Sequence, residues 1–213
     1  MSTPQDFSHS AVNVLNGDTS GANWKKQDNR HLSAKLSLRR YFLRKYPPHQ
    51  VIDCCTGQQV IWTELRKEFP NVQYLGLDKH KLSQGIVKVA AERWLAQVEW
   101  KADVLDIDHY GEPWSIYAAA LENFMGEEVT IFLTACNLVT MRGMSGIVKR
   151  RLGLPEEWKV WASHKFIGIT LQACLSQALD CGFEVIEAKK VVLDGKSLAW
   201  GYNYIGLRLR WTI

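Results

Sequence analysis

Five aspartates in three short stretches carry the chemistry that this chain offers. Asp53 ends an apolar run begun by Val51 and Ile52, and a Cys54-Cys-Thr-Gly57 turn follows it. Asp78 ends a second run, Val72-Gln-Tyr-Leu-Gly-Leu-Asp78. Asp103, Asp106 and Asp108 lie in Ala102-Asp-Val-Leu-Asp-Ile-Asp-His-Tyr-Gly-Glu-Pro-Trp114. A carboxylate costs free energy inside a sheet unless it is paired or opens into a cleft. Acids that close apolar strands therefore mark a sheet edge that meets a ligand. Period-two alternation puts Asp106 and Asp108 on one strand face and Asp103 on the other. If the two lie close, the charge of one raises the pKa of the other, and a carboxylate so placed can accept a hydrogen bond or take up a proton.

The elements that hold these acids follow from periodicity. Residues 51–69 read as strand, tight turn and helix, with Val60/Ile61, Leu65 and Phe69 close to one face and Pro70 as the stop. Gly57 lets backbone approach a ligand, and the helix start beyond it suits a carboxylate or phosphate. The spacing of Leu82, Ile86, Val89/Ala90 and Trp94 predicts a helix over 82–97. After the Asp103–Asp108 strand comes a Tyr110-Gly-Glu-Pro113 turn, which by itself reads as a helix entry with Pro113 at the first helical position. A helix over 114–125, a strand over 129–134 and a loop carrying Asn137 and Arg142 come next. Asn137 and Arg142 either read a substrate or cap that loop. Lys149-Arg-Arg151, an insertion over 154–164, a helix over 165–180 capped by Gly182 and a hairpin turning at Asp194-Gly195 complete the chain.

Upstream, residues 1–24 are polar and without period, as expected of a mobile arm or lid, and residues 25–213 form a single domain. A helix is expected over 29–46, with Leu32, Leu36 and Leu43 on one face and the basic residues fanned around the rest. Residues 25–45 hold eight basic residues against Asp28, a net of +7, leaving −3 elsewhere in a chain whose total is +4. Such a stripe, with Arg39 and Arg40 in it, reads either as a solvated face or as a phosphate-binding one.

At 213 residues with 46% hydrophobic and 23% charged content, the chain is sized and composed for one globular domain, which sets aside disorder for most of it. No apolar run approaches a membrane span, and no signal-peptide pattern opens the sequence. Five cysteines suggest free thiols in a reducing cytoplasm. Cys54 and Cys55 have no second Cys/His cluster at ligand spacing, so core packing is expected and a metal is not.

The Asp53-to-Gln59 turn and Asp78 resemble the first motif and second-strand acid of the class I S-adenosylmethionine-dependent methyltransferases. Their pattern is acid-x-Gly-x-Gly-x-Gly. Here Cys55 stands at the first glycine, Gly57 at the second and Gln59 at the third. The 103–113 stretch is similar to the Asp-x-x-Asp-x-Asp-Pro-Phe-Gly-Ser-Pro pattern of the tRNA guanine dimethyltransferases, with His109 where those have proline. It also resembles short methyltransferase-like proteins of phages and mobile elements. The resemblance implies a doubly wound three-layer α/β/α sandwich, mostly parallel, with a C-terminal antiparallel hairpin. It makes 103–108 the fourth, catalytic strand and leaves a third strand missing or reduced to residues near 98–101. The other threading makes it the third strand, with Asp103 toward an adenine.

The resemblance implies S-adenosylmethionine as cofactor, held by Asp53, Cys55, Thr56, Gly57, Asp78 and Lys79. It implies catalysis by Asp106, Asp108 and Tyr110, with Pro113 in the turn over the methyl acceptor. Asn137 and Arg142, from their loop at the ligand-facing strand end, and Arg39 and Arg40, from the basic helix, are the further candidate substrate contacts. A nucleic-acid acceptor, RNA or DNA, modified on an exocyclic base amine, is the leading expectation. A non-catalytic methyltransferase-like binding module and a small-molecule methyltransferase are the alternatives. Nothing in the sequence sets the oligomeric state.

Overall fold

The computed structural model describes residues 31–80, 85–109, 113–136, 163–192 and 202–212. Seven strands form one sheet: β1 (Gln50–Cys54), β2 (Gln73–Asp78), β3 (Ile86–Lys88), β4 (Val104–Ile107), β5 (Glu128–Cys136), β6 (Phe183–Val192) and β7 (Tyr202–Trp211). Their order is β3-β2-β1-β4-β5-β7-β6. The first five are parallel, and β7 lies antiparallel between β5 and β6. The chain runs outward from β1 to β3 and then returns to lay β4 on the other side of β1. An open sheet takes its ligands at such a reversal, outside the carboxyl ends of the strands.

The expected doubly wound sheet with its terminal hairpin is therefore present, and 104–107 is its fourth strand, pairing Asp106 beside Asp53. The expected helix over 82–97 is not. Gly85 takes φ 82°, which ends any right-handed run, and Ile86-Val-Lys88 pairs with Gly76-Leu-Asp78 as the third strand. Among the described residues there, only Ala91–Leu95 is helical (α3). Ile86 and Val89 matched a helical spacing, but β-branched Ile86 and Val87 fit a pleated edge. Near 98–101 there is only an isolated bridge from Trp100 to Phe124.

Two helical layers cover the sheet. α1 (Leu32–Lys45) and α2 (Val60–Glu68) enclose one core with Leu36, Phe42, Trp62, Val51, Val104 and Phe132. α3, α4 (Trp114–Glu122) and α5 (Ser163–Asp180) enclose the other with Ile52, Leu105, Ile131, Tyr117, Cys174 and Leu207. The inner strands are buried on both faces, which is why β1, β4 and β5 read as nearly unbroken apolar runs.

Gly206 of β7 seats α1. A Cβ there would lie 2.5 Å from the Phe42 ring, so its absence lets the helix rest on the sheet. Gly182, at φ 84°, ends α5 as expected, its N–H donating to the Leu179 carbonyl at 2.9 Å. The 1–24 arm, Tyr110, Asn137, Arg142, Lys149–Arg151 and the Asp194-Gly195 turn lie outside the described residues.

Candidate functional site

The loop after β1 carries a regular backbone signature. Cys55, Gly57 and Gln59 have φ of 74°, 52° and 58°, so every second residue is left-handed. These are the positions at which the resembled motif has glycine. A side chain in this region is strained, and two are tolerated because neighbouring contacts hold the loop. The N–H groups of Cys55 and Thr56 donate to the Leu77 carbonyl at 2.8 and 3.1 Å. The Thr56 hydroxyl sits 3.0 Å from the Asp53 carbonyl and 3.1 Å from that of Leu77. Gly76 makes room for it, since a Cβ there would lie 2.9 Å from the Thr56 Oγ1. Asp78, at the end of β2, accepts the Gly57 N–H at 2.9 Å and the His80 N–H at 2.8 Å. The second acid and the loop's glycine thus form one rim, with Lys79 exposed beside it.

Beneath that rim lies a buried layer of charge roofed by α1. Arg39 donates from Nε and Nη2 to the two oxygens of Asp106, both at 2.6 Å, and from Nη1 to the Lys35 carbonyl. The Trp62 indole N–H adds a third donor to Asp106 at 2.8 Å. One step closer to the edge, Lys35 Nζ lies 2.7 Å from both oxygens of Asp108. Asp53 accepts the Tyr74 hydroxyl at 2.7 Å. Both guanidinium and carboxylate of the Arg39–Asp106 pair are 1% exposed, against 12% and 18% for Lys35 and Asp108. The inner pair is sealed and the outer one borders solvent.

Three carboxylates share two cations in this layer. Burial, and then the negative charge of Asp106, hold the Asp53 pKa well above the usual carboxylate range; the Tyr74 hydrogen bond only partly offsets them. Asp108 goes the other way. Burial would raise it, but the charges of Lys35 and Arg39 prevail, together with the hydrogen bonds from Lys35. His109, half-buried just past β4, is lowered by burial and by the Lys79 charge. The Cys55 thiol is pushed up by burial and nearby carboxylates, so it is a poor nucleophile.

The edge therefore gathers Asp53, Cys55, Thr56, Gly57, Asp78, Lys79, Asp106 and Asp108, as the sequence suggests. Asp103 lies at the opposite end of β4, accepting the His49 and Gln50 N–H groups. Pro113 is buried at the entry of α4, its carbonyl accepting the Tyr117 N–H. Arg40 is remote, pairing with Glu68 at the far end of α2. Arg39 requires a correction: expected on the solvent-facing arc, it is buried on the sheet side of α1, because its guanidinium neutralises Asp106. Asp106 likewise has both oxygens occupied and is sealed from an incoming acceptor. Lys35, Trp62 and Tyr74 were not singled out as site residues. The signal for Arg39 was there: Leu36, Arg39 and Phe42/Leu43 keep the i, i+3, i+6/7 spacing of the buried stripe.

No protein-family model and no curated protein sequence matches the chain. Among solved structures, TYW2 of M. jannaschii in complex with AdoMet matches with a TM-score of 0.57 and 10% identity, over 88% of this chain and 79% of that one. Trm1 of Pyrococcus horikoshii with S-adenosyl-L-methionine matches with a TM-score of 0.61 and 14% identity over 84% of this chain. This chain spans 54% of that Trm1 chain. A putative hemolysin from Streptococcus thermophilus matches with a TM-score of 0.52 and 13% identity, over 88% of this chain and 70% of that one. At these identities the likeness is one of fold: the chain has the fold of the class I S-adenosylmethionine-dependent methyltransferases. Among the described residues no helix is long and apolar enough to cross a membrane.

Proposed function

We propose that the chain is an S-adenosylmethionine-dependent methyltransferase that acts on nucleic acid, with an exocyclic base amine as the favoured acceptor. The observation that carries this reading is the loop whose residues 55, 57 and 59 keep the glycine conformation while Asp78 ties it to β2. The residues present fit such a cofactor. Asp78 suits ribose hydroxyls at the end of β2, and the 55–59 backbone with the start of α2 suits an amino-acid carboxylate. Thr56 and Lys79 complete the rim. Bound there, the cofactor supplies an electrophilic methyl group.

The chain's own task is then to position an acceptor and exclude water. Asp108 is the acid placed for it. It lies past the last residue of β4, and its partner Lys35 borders solvent, so an amine gaining positive charge can take the place of the ammonium. Asp106 anchors α1 through Arg39 and takes no part in proton transfer. The outer face of α1 supports a polyanionic partner: Arg40 and Arg44 share the single carboxylate Glu68, and Lys189 stands 3.3 Å from the Tyr41 ring centroid. The solved structures of similar fold include TYW2 and Trm1, which is consistent with this reading and carries no substrate across.

Calorimetric titration with S-adenosylmethionine and its demethylated product tests the cofactor. Transfer of labelled methyl into bulk RNA and DNA tests the acceptor, and binding should weaken steeply with salt. Absence of heat at millimolar cofactor, with the protein shown to be folded, sinks the first half; salt-insensitive association with nucleic acid sinks the second. The side chains of Cys55 and Gln59 in the loop favour a second reading, a binding module without turnover, which predicts cofactor heat and no label transfer.

A further inference from the structure

We infer that Asn203 is a nucleobase-binding residue, whose side-chain amide pairs with the polar edge of the acceptor base at the ends of β4, β5 and β7. Asn203 is fully buried, yet neither its amide nitrogen nor its oxygen meets a hydrogen-bond partner among the described residues. It lies one position inside the sheet edge, paired with Ala135 of β5 and Val192 of β6. Tyr204 enters the core beneath α1, whereas Ile205 and Leu207 enter the opposite one, so Asn203 faces the α5 side through strand alternation. Ala135 across from it offers only a methyl group. At the same edge, just beyond β4, His109 Nδ1 is likewise buried and without a partner among the described residues.

An unpaired buried amide opposes folding, and a leucine would fill a core position without that cost. The arrangement is consistent once a ligand supplies the missing partners. The amide presents a donor and an acceptor side by side in one plane. A phosphate, with acceptors only, or an ammonium, with donors only, leaves half of it unmet. A base edge with an exocyclic amine next to a ring nitrogen or carbonyl meets both halves. This inference rests on the nucleic-acid reading above and names the residue that reads the base.

The test uses Asn203→Leu and Asn203→Ala, with GMP and CMP as probes by calorimetry. AMP is avoided because the cofactor's own adenosine site would bind it. The expected result is millimolar or tighter binding of at least one probe to the parent chain, weakened about ten-fold or more in both variants. Thermal stability of Asn203→Leu should be unchanged or higher, and binding of the demethylated cofactor should not move. The inference is overturned if the parent chain binds neither probe, if both variants bind as the parent does, or if both variants lose their fold. Failure of the methyltransferase reading shows separately, as missing heat with the demethylated cofactor.

Discussion

Arg39 and Asp106 meet through two hydrogen bonds of 2.6 Å, from α1 to β4, in a layer that is 1% exposed at either end. This pair fixes the helix above the sheet edge. Removing one member leaves the other charge buried without compensation. Asp108 and Asp53 also lose a neighbouring cation, since Arg39 favours the charged form of both. Arg39→Met should destabilise the fold by about 3–5 kcal/mol. The double variant Arg39→Met/Asp106→Leu should recover much of that loss. Chemical denaturation of the three proteins measures it, and equal stability of the single variant and the parent would refute the assignment.

Asp53 sets a pH dependence of opposite sign to that of an ordinary ion-paired acid. Its folded pKa is raised, by burial first and by Asp106 second, so the folded state holds its proton more tightly than the unfolded state. The stability it contributes is full below the ordinary carboxylate range and is lost as pH rises toward the folded pKa. Asp53→Asn keeps an acceptor for the Tyr74 hydroxyl and removes the charge. Its melting temperature should exceed the parent's at pH 7, with the gap closing toward pH 4. A gap that stays constant with pH contradicts the account.

Loop strain makes a further prediction. Cys55 and Gln59 hold glycine conformations while carrying side chains. Relief of a left-handed non-glycine residue is worth about 1–2 kcal/mol, offset in part by the larger unfolded-state entropy of glycine. Cys55→Gly and Gln59→Gly should each leave stability unchanged or raise it by up to about 1 kcal/mol, unlike most glycine substitutions, which destabilise. Thermal melts decide it; a loss above about 1 kcal/mol in either variant would show that its side chain is needed where it stands.

Gly206 answers for the height of α1 above the sheet. A methyl group there would lie 2.5 Å from the Phe42 ring, and that ring is pinned edge-on to Phe132 at 5.8 Å. Gly206→Ala should cost about 1–3 kcal/mol through overpacking. It should also shift Arg39 from Asp106, which fluorescence of the bonded Trp62 can report. An unperturbed spectrum and an unchanged melt would show that the helix is seated by other contacts.

The acid-terminated apolar runs made β1, β2 and β4 legible, because a strand buried on both faces has few other ways to be written. The antiparallel pairing of β6 and β7 was legible from the alternation of the last strand. β3 was not, since three residues cannot establish a period and Ile86 with Val89 fits a helix equally well. The edge acids were legible as a group, but their partners were not. Whether Arg39 faces water or Asp106 depends on what lies beneath the helix, and a count of charges treats both outcomes alike. Cys55 and Gln59 marked two absent glycines. Only the backbone reveals that the glycine conformation persists without them.

The helix that covers the acids is laid down early in the chain, but part of what it rests on comes last. Phe42 needs Gly206, and Tyr41, Lys45 and Tyr46 converge on Glu187 of β6. During synthesis, Asp106 emerges from the ribosome well before the strands that hold Arg39 over it. A nascent chain arrested before β7 keeps the packing of α1 on Val51, Val104, Phe132 and Trp62 but lacks the Gly206 seat and the Glu187 anchor, so its acids lie under a roof held by fewer contacts.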